Sequence, residues 1–229
     1  MEYVFPVPSP PSVAVVGADV RFPVHRIYCV GRNYGEHARE MGFDAAREDP
    51  FFFAKPADAV VASGSTIPYA AATRNLHHEI ELVVAIGRAG ANITPETALE
   101  HVYGYAVGID LTRRDLQLAA RDKGRPWDTG KGFDDSAPIG AIVRAADKGH
   151  PSRGAIWLRV NGETKQSSDI AELIWPVPDI VAHLSKLFTL QPGDLIYTGT
   201  PAGVGPVVAG DRIEGGIEGV GEVRLLIAP

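Results

Sequence analysis

"LHHEIELVVAIG", Leu76–Gly87, is the stretch on which the fold turns. Read as a strand, it sends successive side chains to opposite faces. Glu79, Glu81, Val83 and Ala85 share one face, and Ile80, Leu82, Val84 and Ile86 share the other. The apolar run Val83–Ile86 predicts a central strand buried on both sides. Two carboxylates then lie about 7 Å apart on an otherwise apolar face. There they repel, and unpaired charge is costly. Apart from Arg74, basic residues are scarce nearby. An exposed strand with lysines across the sheet would carry Glu-x-Glu without consequence, whereas a buried one calls for a cation.

A third acid stands in "GYAVGIDLT", where Asp110 ends an apolar strand just before a helix. Three carboxylates without a cysteine–histidine cluster make a hard-oxygen set, suited to Mg²⁺, Mn²⁺ or Ca²⁺ rather than Zn²⁺. Spacing alone does not bring Glu79 and Asp110 together. A second constellation is "GRNYGEHAREMG", read as a short helix over Asn33–Gly42 with Asn33 as its cap. His37 and Glu40 are three apart on it, so the carboxylate can fix the imidazole's tautomer and raise its basicity. A solvated helix with an incidental pair is the bland alternative. Lys131 in "WDTGKGF" is a candidate anion partner or a surface lysine. "YTGTPAGVGPV", Tyr197–Val207, lets backbone approach a small anion. It has no P-loop lysine, which argues against nucleotide binding.

The whole composition is ordinary for a globular chain of 229 residues, with 45% hydrophobic and 22% charged residues. A net charge of −6 argues against a nucleic-acid partner. No apolar run reaches the roughly 18 residues a membrane span needs. No secretory leader is legible, and the single cysteine, Cys29, lies in the apolar "RIYCVG", so a reducing cytoplasm fits. Prolines over residues 1–20 suggest an extended surface segment, and residues 21–229 read as one domain. Glycines and prolines spread along the chain predict many short strands. Asn161-Gly162 predicts a hairpin turn. "TPETALEHV" predicts a helix capped by Thr94, "TRRDLQLAARDKG" one with Thr112 and Asp115 at capping-box spacing, and "VPDIVAHLSKLFTL" one that buries Ile180, Leu184 and Leu187. The sum is a β-dominated α+β fold with a few short helices.

"CVGRNYGEHAREMG", "FFFAKPADAV", "TRNLHHEIELVVAIG", "GYAVGIDLTRRDLQ", "GRPWDTGKGFD", "NGE" and "GDLIYTGTPAGVGPV" occur in this order. Together they resemble the fumarylacetoacetate hydrolase, or acylpyruvase, family over essentially the whole chain, and most of all its bacterial fumarylpyruvate hydrolases. The resemblance implies a mixed β-roll or sandwich in a homodimer. It implies one Mg²⁺, Mn²⁺ or Ca²⁺ ion held by Glu79, Glu81 and Asp110. His37, Glu40 and Lys131 take the catalytic positions, with the His37 segment as a lid over bound substrate. Arg32, Arg114, Gln117 and Thr200 match substrate-contacting positions. Gly132 departs from the pattern, since many relatives carry serine after the lysine.

The implied substrate is a dicarboxylate 2,4-dioxo acid, and the implied reaction is hydrolysis of 3-fumarylpyruvate to fumarate and pyruvate in gentisate degradation. His37, oriented by Glu40, would take a proton from the attacking water. Two other readings stay open. One is decarboxylation or isomerisation of oxaloacetate or a related dioxo acid on the same scaffold. The other is a non-catalytic small-anion binder.

Overall fold

The computed structural model describes residues 3–35 and 49–229. Strands dominate. In chain order they are β1 (Ser12–Ala14), β2 (Arg21–Pro23), β3 (Arg26–Gly31), β4 (Phe51–Lys55), β5 (Val60–Ala62) and β6 (Ser65–Ile67). Next come β7 (Leu76–His78), β8 (Ile80–Ile86), β9 (Val102–Ile109), β10 (Thr112–Arg113), β11 (Ala137–Ile139) and β12 (Val143–Arg144). The last are β13 (Ala155–Val160), β14 (Glu163–Asp169), β15 (Asp194–Tyr197), β16 (Gly205–Val207), β17 (Arg212–Ile217) and β18 (Gly221–Ile227). Among the described residues four short α-helices join them: α1 (Arg114–Asp122), α2 (Asp128–Lys131), α3 (Ala145–Lys148) and α4 (Val177–Leu187). No helix among the described residues is long and apolar enough to cross a membrane.

The main sheet is mixed, in the order β4-β3-β15-β8-β9-β11-β5, with β12 added beside β9. A second sheet runs β14-β13-β17-β18-β6, and a small third one β10-β7-β16. The period-two reading of Leu76–Gly87 explains why β8 sits between two cores. Ile80, Leu82, Val84 and Ile86 face the larger one, shared with Ile156, Leu158, Ile213 and Leu225 of the second sheet. Val83 and Ala85 face a smaller core with Ile27, Cys29, Ala106 and Leu195, which the β1–β2 ribbon closes through Val13 and Phe22. Every residue of β8 is buried, as expected of a strand paired on both edges, here to β15 and β9.

The strand is not continuous, however. It breaks at Glu79: β7 joins the small sheet and β8 the main one. Other local expectations are corrected too. Thr94 caps no α-helix; Ala98–His101 forms a single 3-10 turn, because Val102 already begins β9. Thr112 does not cap α1. It pairs with His77 in β10, and its hydroxyl donates to the Asp110 carbonyl. Asp115 instead accepts from the Thr73 hydroxyl at 2.6 Å. Asn33 is fully buried, and its side chain bonds to Trp175 and the Thr198 carbonyl; most of the helix it is expected to cap lies outside the described residues. Leu187, at the end of α4, is exposed, while Ile180 and Leu184 are buried as expected. The Asn161-Gly162 turn has both residues at positive φ, as such a two-residue hairpin requires.

Candidate active site

The register of β8 on β9 assembles the acids. Ile80 lies opposite Ile109, so the residues just beyond, Glu79 and Asp110, come face to face. The Asp110 N–H donates to the Glu79 carbonyl at 2.8 Å and locks that juxtaposition. Glu81, two residues along, projects from the same face of β8. One carboxylate oxygen from each of the three acids lies within 4.8 Å of the others, and all three residues are buried. Two metal–oxygen bonds of about 2.0–2.6 Å span that separation, so the donor set fits a hard divalent ion.

Among the described residues, three cationic side chains pair with the triad. Lys131, the last residue of α2, is itself buried, and its Nζ lies 2.8 Å from Glu79 Oε2, 2.6 Å from Asp110 Oδ2 and 2.7 Å from Thr112 Oγ1. Arg114 Nη2 pairs with Glu79 Oε1, its Nη1 donates to Gln117 Oε1, and its Nε approaches His77 Nδ1 at 3.4 Å. Lys55, at the end of β4, sets its Nζ 2.8 Å from Asp110 Oδ1, a contact of charge rather than of aligned hydrogen bond. It also donates to the Leu111 carbonyl at 3.1 Å.

Glu81 differs from its neighbours. Among the described residues no cationic nitrogen lies within 4.0 Å of its carboxylate, and the Gly199 N–H donates to its Oε2 at 2.8 Å. Burial, then the charges of Asp110 and Glu79, push its pKa well above the ordinary carboxylate range. For Lys131, burial works to lower the pKa, but the Asp110 and Glu79 carboxylates outweigh it and raise it. Burial, followed by the Arg114 charge, depresses His77 to about 4, so its ring is neutral.

The four residues expected to contact substrate line the same cavity. Arg114 and Gln117 come from one face of α1, three residues apart. Thr200 follows β15, and Arg32 follows β3 with its guanidinium 5.3 Å from the Phe51 ring centre. His37 and Glu40 lie outside the described residues. Sequence reasoning passed over Lys55, which in "FFFAKP" looks like the polar end of a strand, and Gly199, whose N–H holds Glu81. It also passed over Gln166, a buried amide that bonds to both Ile80 and Thr200. Only the order of motifs hints at Lys55, whereas Gly199 lies in the glycine loop read as approaching a small anion, here the Glu81 carboxylate.

The sequence profile for the "Fumarylacetoacetate (FAA) hydrolase C-terminal" family matches residues 26–228. A fumarylpyruvate hydrolase of Ralstonia sp is 52% identical over 186 residues, covering 81% of this chain and 96% of the relative. The mitochondrial oxaloacetate tautomerase FAHD1 of Bos taurus is 44% identical over 194 residues, or 85% of this chain and 87% of that one. Among solved structures, the fumarylpyruvate hydrolase of Pseudomonas aeruginosa in complex with Mn²⁺ and pyruvate superposes with a TM-score of 0.96 at 55% identity, covering 99% of both chains.

Proposed function

Since the chain belongs to the fumarylacetoacetate hydrolase family, we propose that it is a divalent-metal-dependent hydrolase of a 2,4-dioxo acid. Its substrate is 3-fumarylpyruvate, cleaved at a carbon–carbon bond to fumarate and pyruvate. The observation that carries the reading is the buried triad of Glu79, Glu81 and Asp110 enclosed by Lys55, Lys131 and Arg114. The three carboxylates and these three cations cancel, so a dication in their midst would leave two positive charges, to which Arg32 on the cavity wall adds a third among the described residues. That surplus suits a dianionic substrate, which the chain's net charge of −6 does not attract from afar.

Glu79, Glu81 and Asp110 would hold the ion, which when bound supplies Lewis-acid polarisation of the keto-acid oxygens. Lys131 keeps a positive charge beside the oxygen that turns negative as the bond breaks. Arg114 braces Glu79, and Arg32, Arg114, Gln117 and Thr200 meet the substrate's oxygens. His37, its tautomer fixed by Glu40, takes a proton from water. The hydroxide adds to the distal ketone carbon, the bond to the adjacent methylene breaks, and the electron pair passes to the pyruvate fragment. That fragment regains the proton, and two acids leave. The reaction belongs to gentisate degradation, run by a cytoplasmic homodimer whose catalytic unit spans residues 21–229.

The likeness to an oxaloacetate tautomerase favours a second reading, enolisation of oxaloacetate at the same acids. It needs no activated water and would survive loss of His37. The test is kcat/KM of the purified Mn²⁺-loaded protein for fumarylpyruvate, maleylpyruvate, acetylpyruvate and oxaloacetate, repeated with His37→Ala. Preferred cleavage of fumarylpyruvate, lost in His37→Ala, is expected. Faster turnover of oxaloacetate, untouched by that substitution, would replace the hydrolase reading with the second.

A further inference from the structure

Glutamine is seldom buried, because both ends of its amide need partners once water is gone. Gln166, in β14, is 1% exposed and has all four. Its Oε1 accepts from the Ile80 N–H at 3.1 Å and faces His78 Nδ1 at 3.0 Å. Its Nε2 donates to the Pro201 carbonyl at 2.9 Å and to Thr200 Oγ1 at 2.8 Å. Two of these partners cannot exchange roles. A backbone N–H only donates and a carbonyl only accepts, so the amide has one orientation. The other two roles follow. His78 carries a hydrogen on Nδ1. Thr200 Oγ1 accepts, so its own hydrogen is left for something else. Thr200 lines the cavity that contains Glu79, Glu81 and Asp110.

We propose that Gln166 is a positioning residue: it fixes the Thr200 hydroxyl as a hydrogen-bond donor to an anionic oxygen of the bound keto acid, and it pins the residues on either side of Glu79. The proposal rests on the acylpyruvate reading only in placing a keto acid in this cavity. A free hydroxyl can present lone pairs or a hydrogen; with one lone pair taken by the amide, Thr200 keeps its hydrogen free, and an anionic oxygen, which can only accept, draws that hydrogen. The same amide joins three sheets, since β14, β7 and β8 belong to different ones and Thr200 follows β15. The donor and the backbone around Glu79 therefore share one anchor.

The test is a double-mutant cycle on the Mn²⁺-loaded full chain titrated with pyruvate by calorimetry, with Tm in chelator measured for every variant. Gln166→Glu keeps an acceptor for Ile80 and His78 but offers Thr200 a carboxylate, which draws the hydroxyl hydrogen away from the cavity. Gln166→Glu and Thr200→Val should each raise the pyruvate Kd about tenfold or more, as loss of a charged hydrogen bond does. The double variant should bind no worse than either single one, because both remove the same donor. Thr200→Ser should bind like the unmodified protein. A Gln166 that only supports the fold would lower Tm and leave the pyruvate Kd alone, or add its effect to that of Thr200→Val; either result overturns the proposal. If Gln166→Glu does not fold, equal pyruvate affinity in Thr200→Val and Thr200→Ser overturns it. An unmodified protein that binds pyruvate but does not split fumarylpyruvate removes the hydrolase reading and leaves this proposal standing, whereas hydrolysis with an additive cycle does the reverse. No pyruvate binding at all defeats both.

Discussion

Replacing Lys55 with Met tests whether the acid cluster depends on the cations packed round it. Lys55 Nζ lies 2.8 Å from Asp110 Oδ1, with both side chains essentially out of water. At that separation two unit charges attract by about 6 kcal/mol at an effective dielectric constant of about 20. Desolvation offsets part of this. Stranding one charge of a buried pair costs about 3–5 kcal/mol; Asp110 keeps Lys131 at 2.6 Å, so the loss sits at the lower end, about 3 kcal/mol. For a chain of this size each kcal/mol moves Tm by about 2–4 °C, so metal-free Lys55→Met should melt about 6–12 °C lower. Saturating Mn²⁺ should narrow the gap, since a dication beside Asp110 replaces the missing charge and stabilises the folded state by binding it. The assay is thermal unfolding followed by circular dichroism, in chelator and in Mn²⁺. An unchanged metal-free Tm would refute the electrostatic reasoning. An equal drop in both conditions would also refute it, because lost packing alone behaves that way.

Glu79→Gln should weaken Mn²⁺ binding in calorimetry by more than tenfold, since changes to residues merely surrounding a metal's ligands already cost about 10–100-fold; unchanged affinity would reject Glu79 as a ligand. In the metal-free protein the raised pKa of Glu81 makes stability fall with rising pH. Below its ordinary value of 4.5 the folded and unfolded states both hold the proton. Above that value only the folded state keeps it, until its own higher pKa is passed. Mn²⁺ requires the ionised form, so its affinity should climb through the same window, and a flat profile there would contradict the assigned burial effect. Gly199→Ala should weaken Mn²⁺ binding and lower Tm: Gly199 has φ +101°, and an added Cβ would lie 2.7 Å from Asn33 Cβ, forcing its N–H off Glu81. The strain amounts to about 1–3 kcal/mol, and a Tm equal to that of the unmodified protein would show that the turn accommodates a side chain.

What could be read in advance followed the range of the forces involved. Alternation along Leu82–Ile86 is a local property, and it correctly placed β8 inside the molecule. The break at Glu79 is not local. It follows from pairing with β9 and from Gln166, far along the chain, which holds the Ile80 N–H. Thr94-Pro95-Glu96 and Thr112-x-x-Asp115 are sound capping signals, yet strand pairing outbid both: Val102 is needed in β9, and Thr112 in β10. Glu79, Glu81 and Asp110 stood out because acids in apolar strands conflict with their surroundings. Lys55 did not, since a lysine before a proline also fits a solvated strand end, and only the assembled sheet shows it buried. His78 and Thr200 take part in a network whose central member, Gln166, resembles any polar residue of a hairpin arm.

β8 is a party wall between two hydrophobic rooms. Val83 and Ala85 lean on one, Ile80, Leu82 and Val84 on the other, and Glu81 is mounted in the wall itself. Neither room can be refurnished without the partition feeling it, so the spacing of the acids is held by masonry packed from both sides. Arg32 and Thr200 hang on loops beyond the strand ends, like fittings at the doorway. Descendants of such a chain can change which visitors they admit while the hearth stays where it was.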